Sequence, residues 1–142
     1  MIERVVFDTS ALIGAALKVG SKPHQALTLA FHHCVLCASE EMLTELSHVL
    51  HRSFVDRYLT PQDRDSFLAI IREHFKLYQV DDIAQQSIDP PCRDANDNFI
   101  LALALAARAH AIVSSDHDLL VLNPWRGIPV LTPAEFVVQL SA

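Results

Sequence analysis

Arg4-Val5-Val6-Phe7-Asp8-Thr9-Ser10-Ala11-Leu12-Ile13 decides how the chain is read. Its first four residues form a short apolar run that ends abruptly in an acid, and a helical pattern starts at Ser10. A strand covered on both faces reads as an unbroken apolar run rather than an alternation. The same grammar recurs along the chain. Further strands are predicted at Cys34-Val35-Leu36-Cys37, Leu77-Tyr78-Gln79-Val80 and Ala111-Ile112-Val113-Ser114. Ile128-Pro129-Val130-Leu131 is a weaker one, placed at a sheet edge by its proline.

Helical patterns separate these runs. One helix starts near Pro23, and another is capped by Ser39, with Met42, Leu43, Leu46, Val49 and Leu50 on one face. Thr60-Pro61-Gln62-Asp63 opens a helix that continues through Phe67, Leu68, Ile71 and Phe75. Asp81 to Arg93 reads as a long polar loop, Asp94 starts a helix reaching about His110, and Thr132-Pro133-Ala134-Glu135 opens the last helix. Strands alternating with helices predict an α/β fold: a three-layer α/β/α sandwich around a mainly parallel sheet of about four to five strands. At 142 residues, without a Gly/Ser linker or repeat, residues 1–142 read as one domain.

Composition narrows the function classes. With 17 acidic against 11 basic residues, the chain is not a general nucleic-acid coat, so nucleic acid would need a local basic patch or metal ions. Three cysteines and a start without a signal peptide argue against a disulfide framework. Phe99 to Val113 is interrupted by Arg108 and His110 and is too short for a membrane span. The expected setting is cytoplasmic.

The acids carry the chemistry. Asp8 and Asp116 each follow a strand, Asp97 stands near a helix start, and Glu45 lies in the helix after the second strand. Strand ends and the helix starts that follow them share one rim of a parallel sheet. Asp8, Asp97 and Asp116 should meet there, and Glu45 joins if its helix leans over that rim. Two carboxylates about 4 Å apart repel by roughly 4 kcal/mol at an effective dielectric near 20. A divalent cation removes the conflict, and an all-oxygen set suits Mg²⁺ or Mn²⁺. That chemistry points to phosphodiester hydrolysis. Blander readings stand beside it: Asp8 or Asp94 as helix caps, Asp116 and Asp118 as turn residues, and Glu45 as a solvated helix residue.

The residues also resemble a known family. Val5 to Ile13, Glu45-Leu46 with Val49-Leu50, Asp94 to Ala104, and Ile112 to Leu120 are similar, in that order, to the four motifs of PIN-domain nucleases. The likeness is strongest to prokaryotic members of the VapC kind, which are toxins of toxin–antitoxin pairs. The resemblance implies a Mg²⁺- or Mn²⁺-dependent endoribonuclease. Asp8, Glu45, Asp97 and Asp116 would form the metal-binding catalytic quartet, with Ser10, Asp94, Ser114 and Asp118 supporting it. It also implies an RNA substrate, a cognate antitoxin that inserts an arginine among the carboxylates, and a homodimer. Ser115 departs from the pattern, since relatives often carry Gly there.

Arg52, Arg57, Arg64 and Arg72 are candidates for phosphate contact, against the alternative of a solvated helical face. Phe54 and Tyr58 either stack on bases or pack between helices, and packing is the expectation. Cys34 and Cys37 lie on a strand three residues apart and face opposite sides, which argues against a shared metal. Two other function classes compete. A PIN-like protein-binding module would not need all four acids. A haloacid dehalogenase-like phosphatase would need a second Asp where this chain has Ser10.

Overall fold

The structure is a computed structural model, and it describes residues 1–94 and 97–141. In chain order the elements are β1 (Arg4–Phe7), α1 (Thr9–Leu17), α2 (Lys22–His33), β2 (Val35–Ala38) and α3 (Glu40–Leu50). A 3₁₀ helix (Ser53–Arg57), α4 (Pro61–His74), β3 (Lys76–Leu77) and α5 (Asp82–Gln86) follow. α6 (Asn98–Ala107), β4 (Ala111–Val113), α7 (His117–Leu120), β5 (Val130–Leu131) and α8 (Pro133–Ser141) complete the chain.

The five strands form one sheet in the order β3-β2-β1-β4-β5, and every pairing is parallel. Val5, Val6 and Phe7 of β1 and all of β4 are buried, as central strands covered on both faces must be. Strand order runs β1 to β2 to β3 on one side and resumes at β4 on the other. Right-handed crossovers therefore set the helices before β3 and those between β3 and β4 on opposite faces. α2 packs on α1 and α8, while α6 lies against β1 and β2. Phe136 of α8 meets Phe7 of β1 edge to face, with ring centroids 5.6 Å apart. α1 and α2 approach closely at Gly14, where a Cβ would stand 3.0 Å from the Pro23 ring.

Local sequence explains most boundaries. Ser39 caps α3 by accepting from the Met42 N–H. Thr60 and Asp63 form a reciprocal capping box ahead of α4. Several predicted boundaries move: the second strand is Val35–Ala38 rather than Cys34 to Cys37, and the fifth keeps only Val130–Leu131 of Ile128 to Leu131. The third strand is Lys76–Leu77 rather than Leu77 to Val80, because only Lys76 and Leu77 find register partners on β2, Cys37 and Ala38. The helix predicted from Asp94 to about His110 spans Asn98–Ala107. Its cap position is Asp97, not Asp94, and it ends where Arg108 turns left-handed at φ 51°. Ala95 and Asn96, inside that predicted helix start, lie outside the described residues.

The polar loop from Asp81 contains α5, capped by the Asp81 side chain. Its far end is tied to the core through the buried Trp125, whose Nε1–H donates to the Pro90 carbonyl at 2.7 Å. The cysteines carry no disulfide. Among the described residues, no helix is long and apolar enough to cross a membrane.

Candidate active site

The reversal in strand order falls between β1 and β4, and the crevice at the carboxyl ends of such strands is where ligands bind in open α/β sheets. Asp8 stands at the end of β1, and Ser114-Ser115-Asp116 follows β4. A cleft of about 460 Å³ opens there, lined by Asp8, Glu45, Asp97 and Asp116 together with Ser10 and Arg52. The structure thus brings all four predicted acids to one cleft. Asp94 and Asp118 stand outside its lining.

Asp8 is 3% exposed and almost saturated with hydrogen bonds. Its Oδ1 accepts from Ser10 Oγ at 2.7 Å and from the Ala11 N–H at 2.9 Å, and its Oδ2 accepts from Ser114 Oγ at 2.5 Å. The capping reading of Asp8 holds for one oxygen, Oδ1, which caps α1, while Oδ2 is not used by the helix. The two serines extend the network. Ser10 Oγ accepts from the Ser115 N–H at 3.1 Å, and Ser114 Oγ accepts from the Asp116 N–H at 2.9 Å. Each therefore joins Asp8 to the turn after β4. Ser115 keeps a φ that any residue adopts, so its side chain costs the turn nothing. Asp118 acts through its backbone, donating its N–H to Asp116 Oδ1 at 3.0 Å.

Asp97 is held differently. It occupies the cap position of α6 but makes no capping hydrogen bond. Its N–H donates to the Asp94 carbonyl at 3.0 Å, a turn that leaves the carboxyl aimed at the cleft. Its Oδ2 is buried and has no hydrogen-bond partner among the described residues. Burial pushes Asp97 up to about 7, helped by a hydrogen bond to the Asp116 side chain and by the charges of Asp116, Asp94 and Asp8. Two carboxylates share a hydrogen bond only when one keeps a proton. Burial also raises Asp8, against the opposing pull of its three hydrogen bonds.

Among the described residues, no three His, Cys, Asp or Glu side chains are gathered tightly enough to grip one ion. The donor set still fits a hard divalent cation. It consists of carboxylate oxygens, one of them buried and unpartnered, in a cluster that otherwise holds a proton to relieve its own repulsion. Glu45 reaches the cleft because α3 packs against α1.

The four arginines divide. Arg52 lines the cleft. Arg64 does not: it is 6% exposed, bonded to Asp56 Oδ1 at 2.6 Å and to the Leu59 carbonyl at 3.0 Å. It is a structural cation and not a free phosphate contact. Arg57 lies over the Tyr58 ring at 5.9 Å, in a separate hollow with Arg64. Arg72 faces Glu40 at 3.6 Å on the exposed surface. Truncating Asp56 leaves Arg64 buried without its carboxylate. Asp56→Ala is therefore expected to destabilise the fold by about 2–3 kcal/mol in urea denaturation, with the urea dependence (m-value) unchanged. Sequence reasoning also missed Thr9, Ile13, Gly14 and Val49 as cleft-lining residues, and Phe54, expected to pack, lines the cleft as well. Thr9 and Ile13 sit in the quoted first motif, so adjacency alone could have found them.

The PIN-domain family profile matches residues 4–118, which spans the strand ends and all four acids. The chain belongs to the PIN-domain family. No curated protein matches it. Among solved structures, this PIN domain is similar to PAE2754 from Pyrobaculum aerophilum, with a TM-score of 0.62 and 14% identity, covering 99% of this chain and 90% of that one. It is also similar to VapBC2 from Rickettsia felis, solved with a promoter DNA fragment, with a TM-score of 0.64 and 14% identity over 91% of this chain and 98% of that one. A third likeness is to VapC20 of Mycobacterium tuberculosis, a toxin that cleaves the sarcin–ricin loop. There the TM-score is 0.56 and identity 18%, over 80% of this chain and 91% of that one. At these identities the likenesses speak for the fold.

Proposed function

We propose that this PIN domain is a divalent-metal-dependent endoribonuclease that serves as the toxin of a toxin–antitoxin pair. The observation that carries the reading is the convergence of Asp8, Glu45, Asp97 and Asp116 on one cleft, with Asp97 driven to hold a proton near neutrality. Two of the similar structures are a toxin that cleaves the sarcin–ricin loop and a VapBC assembly, which supports the RNA substrate and the antitoxin partner.

Asp8, Glu45, Asp97 and Asp116 would hold a Mg²⁺ or Mn²⁺ ion, which supplies a bound water of lowered pKa and neutralises charge on a phosphoryl group. The chain's own residues do the rest. Ser10 and Ser114 fix the Asp8 carboxylate so that it need not reorganise. Asp97 gives up its proton when the cleft is filled by positive charge. Arg52, exposed at the cleft's wall, meets the anionic backbone of the substrate. An antitoxin arginine entering the same cleft would find carboxylates to pair with, which blocks the site by the same charge logic.

Purified protein is expected to cut a structured RNA with Mg²⁺ or Mn²⁺, and to stop when EDTA is added. Cleavage that persists in EDTA, or its absence at every metal concentration together with no Mn²⁺-induced thermal shift, overturns the reading.

A further inference from the structure

The 3₁₀ helix Ser53–Arg57 follows α3, which carries Glu45 and Val49 along the cleft, and it projects Phe54 into that same cleft. Phe54 is 47% exposed, although a phenylalanine at a helix–turn junction is expected to pack. Its neighbour explains the placement. Val55 is fully buried and anchors the turn, and the Tyr58 and Leu59 N–H groups both donate to its carbonyl. Asp56 is clamped by the buried Arg64. Three consecutive residues thus have separate tasks: Val55 anchors, Asp56 locks and Phe54 presents a bare ring. The buried Arg64, otherwise a costly group in a helix, holds rigid the turn that presents the ring.

We propose that Phe54 is a substrate-positioning residue whose ring stacks on an unpaired nucleobase beside the scissile phosphate, while Arg52 holds the flanking phosphate. This rests on the ribonuclease reading. The occupant follows from the cleft itself. One wall is carboxylate, the other offers a cation and an aromatic plate two residues apart, and a nucleotide presents a phosphate and a π-face at that scale. Tyr58 is equally exposed at 55% but lies outside the cleft, so it serves as the internal control.

The test is binding of a short fluorescein-labelled single-stranded RNA, and of the same RNA as a duplex, in Mg²⁺, with Asp8→Asn as the uncut background. Adding Phe54→Ala is expected to weaken single-strand binding by about 5- to 150-fold, the range of one lost stacking contact. Tyr58→Ala is expected to leave it unchanged. Phe54→Trp is expected to restore binding, with fluorescence of the introduced indole quenched by RNA, since the only native tryptophan, Trp125, is buried. A background protein that binds RNA equally well with Phe54→Ala, or loses duplex binding to the same extent, overturns the stacking role and leaves the nuclease reading standing. Loss of self-association in sedimentation with RNA affinity intact also overturns it, by making Phe54 part of a protein contact. No RNA binding by the background protein overturns the stacking role, and no cleavage by the parent with Mg²⁺ or Mn²⁺ together with no Mn²⁺-induced thermal shift overturns the nuclease reading as well.

Discussion

Asp8→Asn is expected to lower RNA cleavage by about 10³-fold or more while the folded state persists. The magnitude follows from where the charge sits. Asp8 is the most buried of the four acids, at 3% exposed, and it lines the cleft. An amide nitrogen there donates where the carboxylate accepted, so it cannot bind a cation. The fold tolerates the change because the other oxygen survives. The Asn carbonyl still accepts from Ser10 Oγ and the Ala11 N–H, and α1 keeps its cap. The new amide donates to Ser114 Oγ, whose hydroxyl proton then turns away while the oxygen keeps its bond from the Asp116 N–H. The lost charge-assisted bond is offset by no longer desolvating a carboxylate, so thermal unfolding of the metal-free protein should move by about 1 kcal/mol or less. Asp8→Ala removes both oxygens and is expected to cost a further ~1 kcal/mol through the lost cap. A drop in stability as large for Asn as for Ala would make Asp8 a structural residue.

The same positions show why some of this site is legible in the sequence. A strand buried on both faces must be an apolar run, and an acid that ends it cannot remain in the sheet. Val5-Val6-Phe7-Asp8 and Ile112-Val113 followed by Asp116 therefore announce both the central strands and the rim. α6 is less legible. Asp94 and Asp97 are both plausible caps three residues apart, and local propensity has no means of choosing. The tertiary cleft selects Asp97 for the cap position and leaves its carboxyl unbonded in the helix.

Arg64 illustrates the opposite failure. On a helix rich in charge it reads as a phosphate contact or a solvated residue, exposed in either case. Only the return of Ser53–Arg57 over α4 buries it, and that depends on a pairing with Asp56 eight residues away. Phe54 fails for a related reason. Hydrophobicity alone says "inside", but two adjacent apolar residues on a one-turn 3₁₀ helix cannot both face the core, and Val55 takes the buried side. β3 and α7 are too short for any periodicity to appear.

Asp97→Asn is expected to do two opposite things: abolish cleavage and stabilise the metal-free protein, the second only above a defined pH. Unfolded, this carboxyl ionises near 3.8, whereas folded it holds its proton to about 7. Between those values the native state binds more protons than the unfolded chain, so raising pH lowers stability across that window, and the penalty is complete above it. The upper limit is about 1.4 kcal/mol for each pH unit crossed. Solvent at the partly exposed Asp97 screens this to about 2 kcal/mol in all. The asparagine has no proton to lose and escapes the penalty. Its melting temperature should match the parent's near pH 4, rise above it through pH 5 and 6, and stay above it at pH 8. Mg²⁺ or Mn²⁺ should reverse the order at pH 8, because only the parent offers the ion a carboxylate at this position and gains the stabilisation that ligand binding confers on a native state. Differential scanning fluorimetry over pH, with and without Mn²⁺, reads both effects without any RNA. Equal pH profiles for parent and variant would mean Asp97 ionises normally. A variant less stable than the parent at pH 8 without metal would mean that the carboxylate supports the fold.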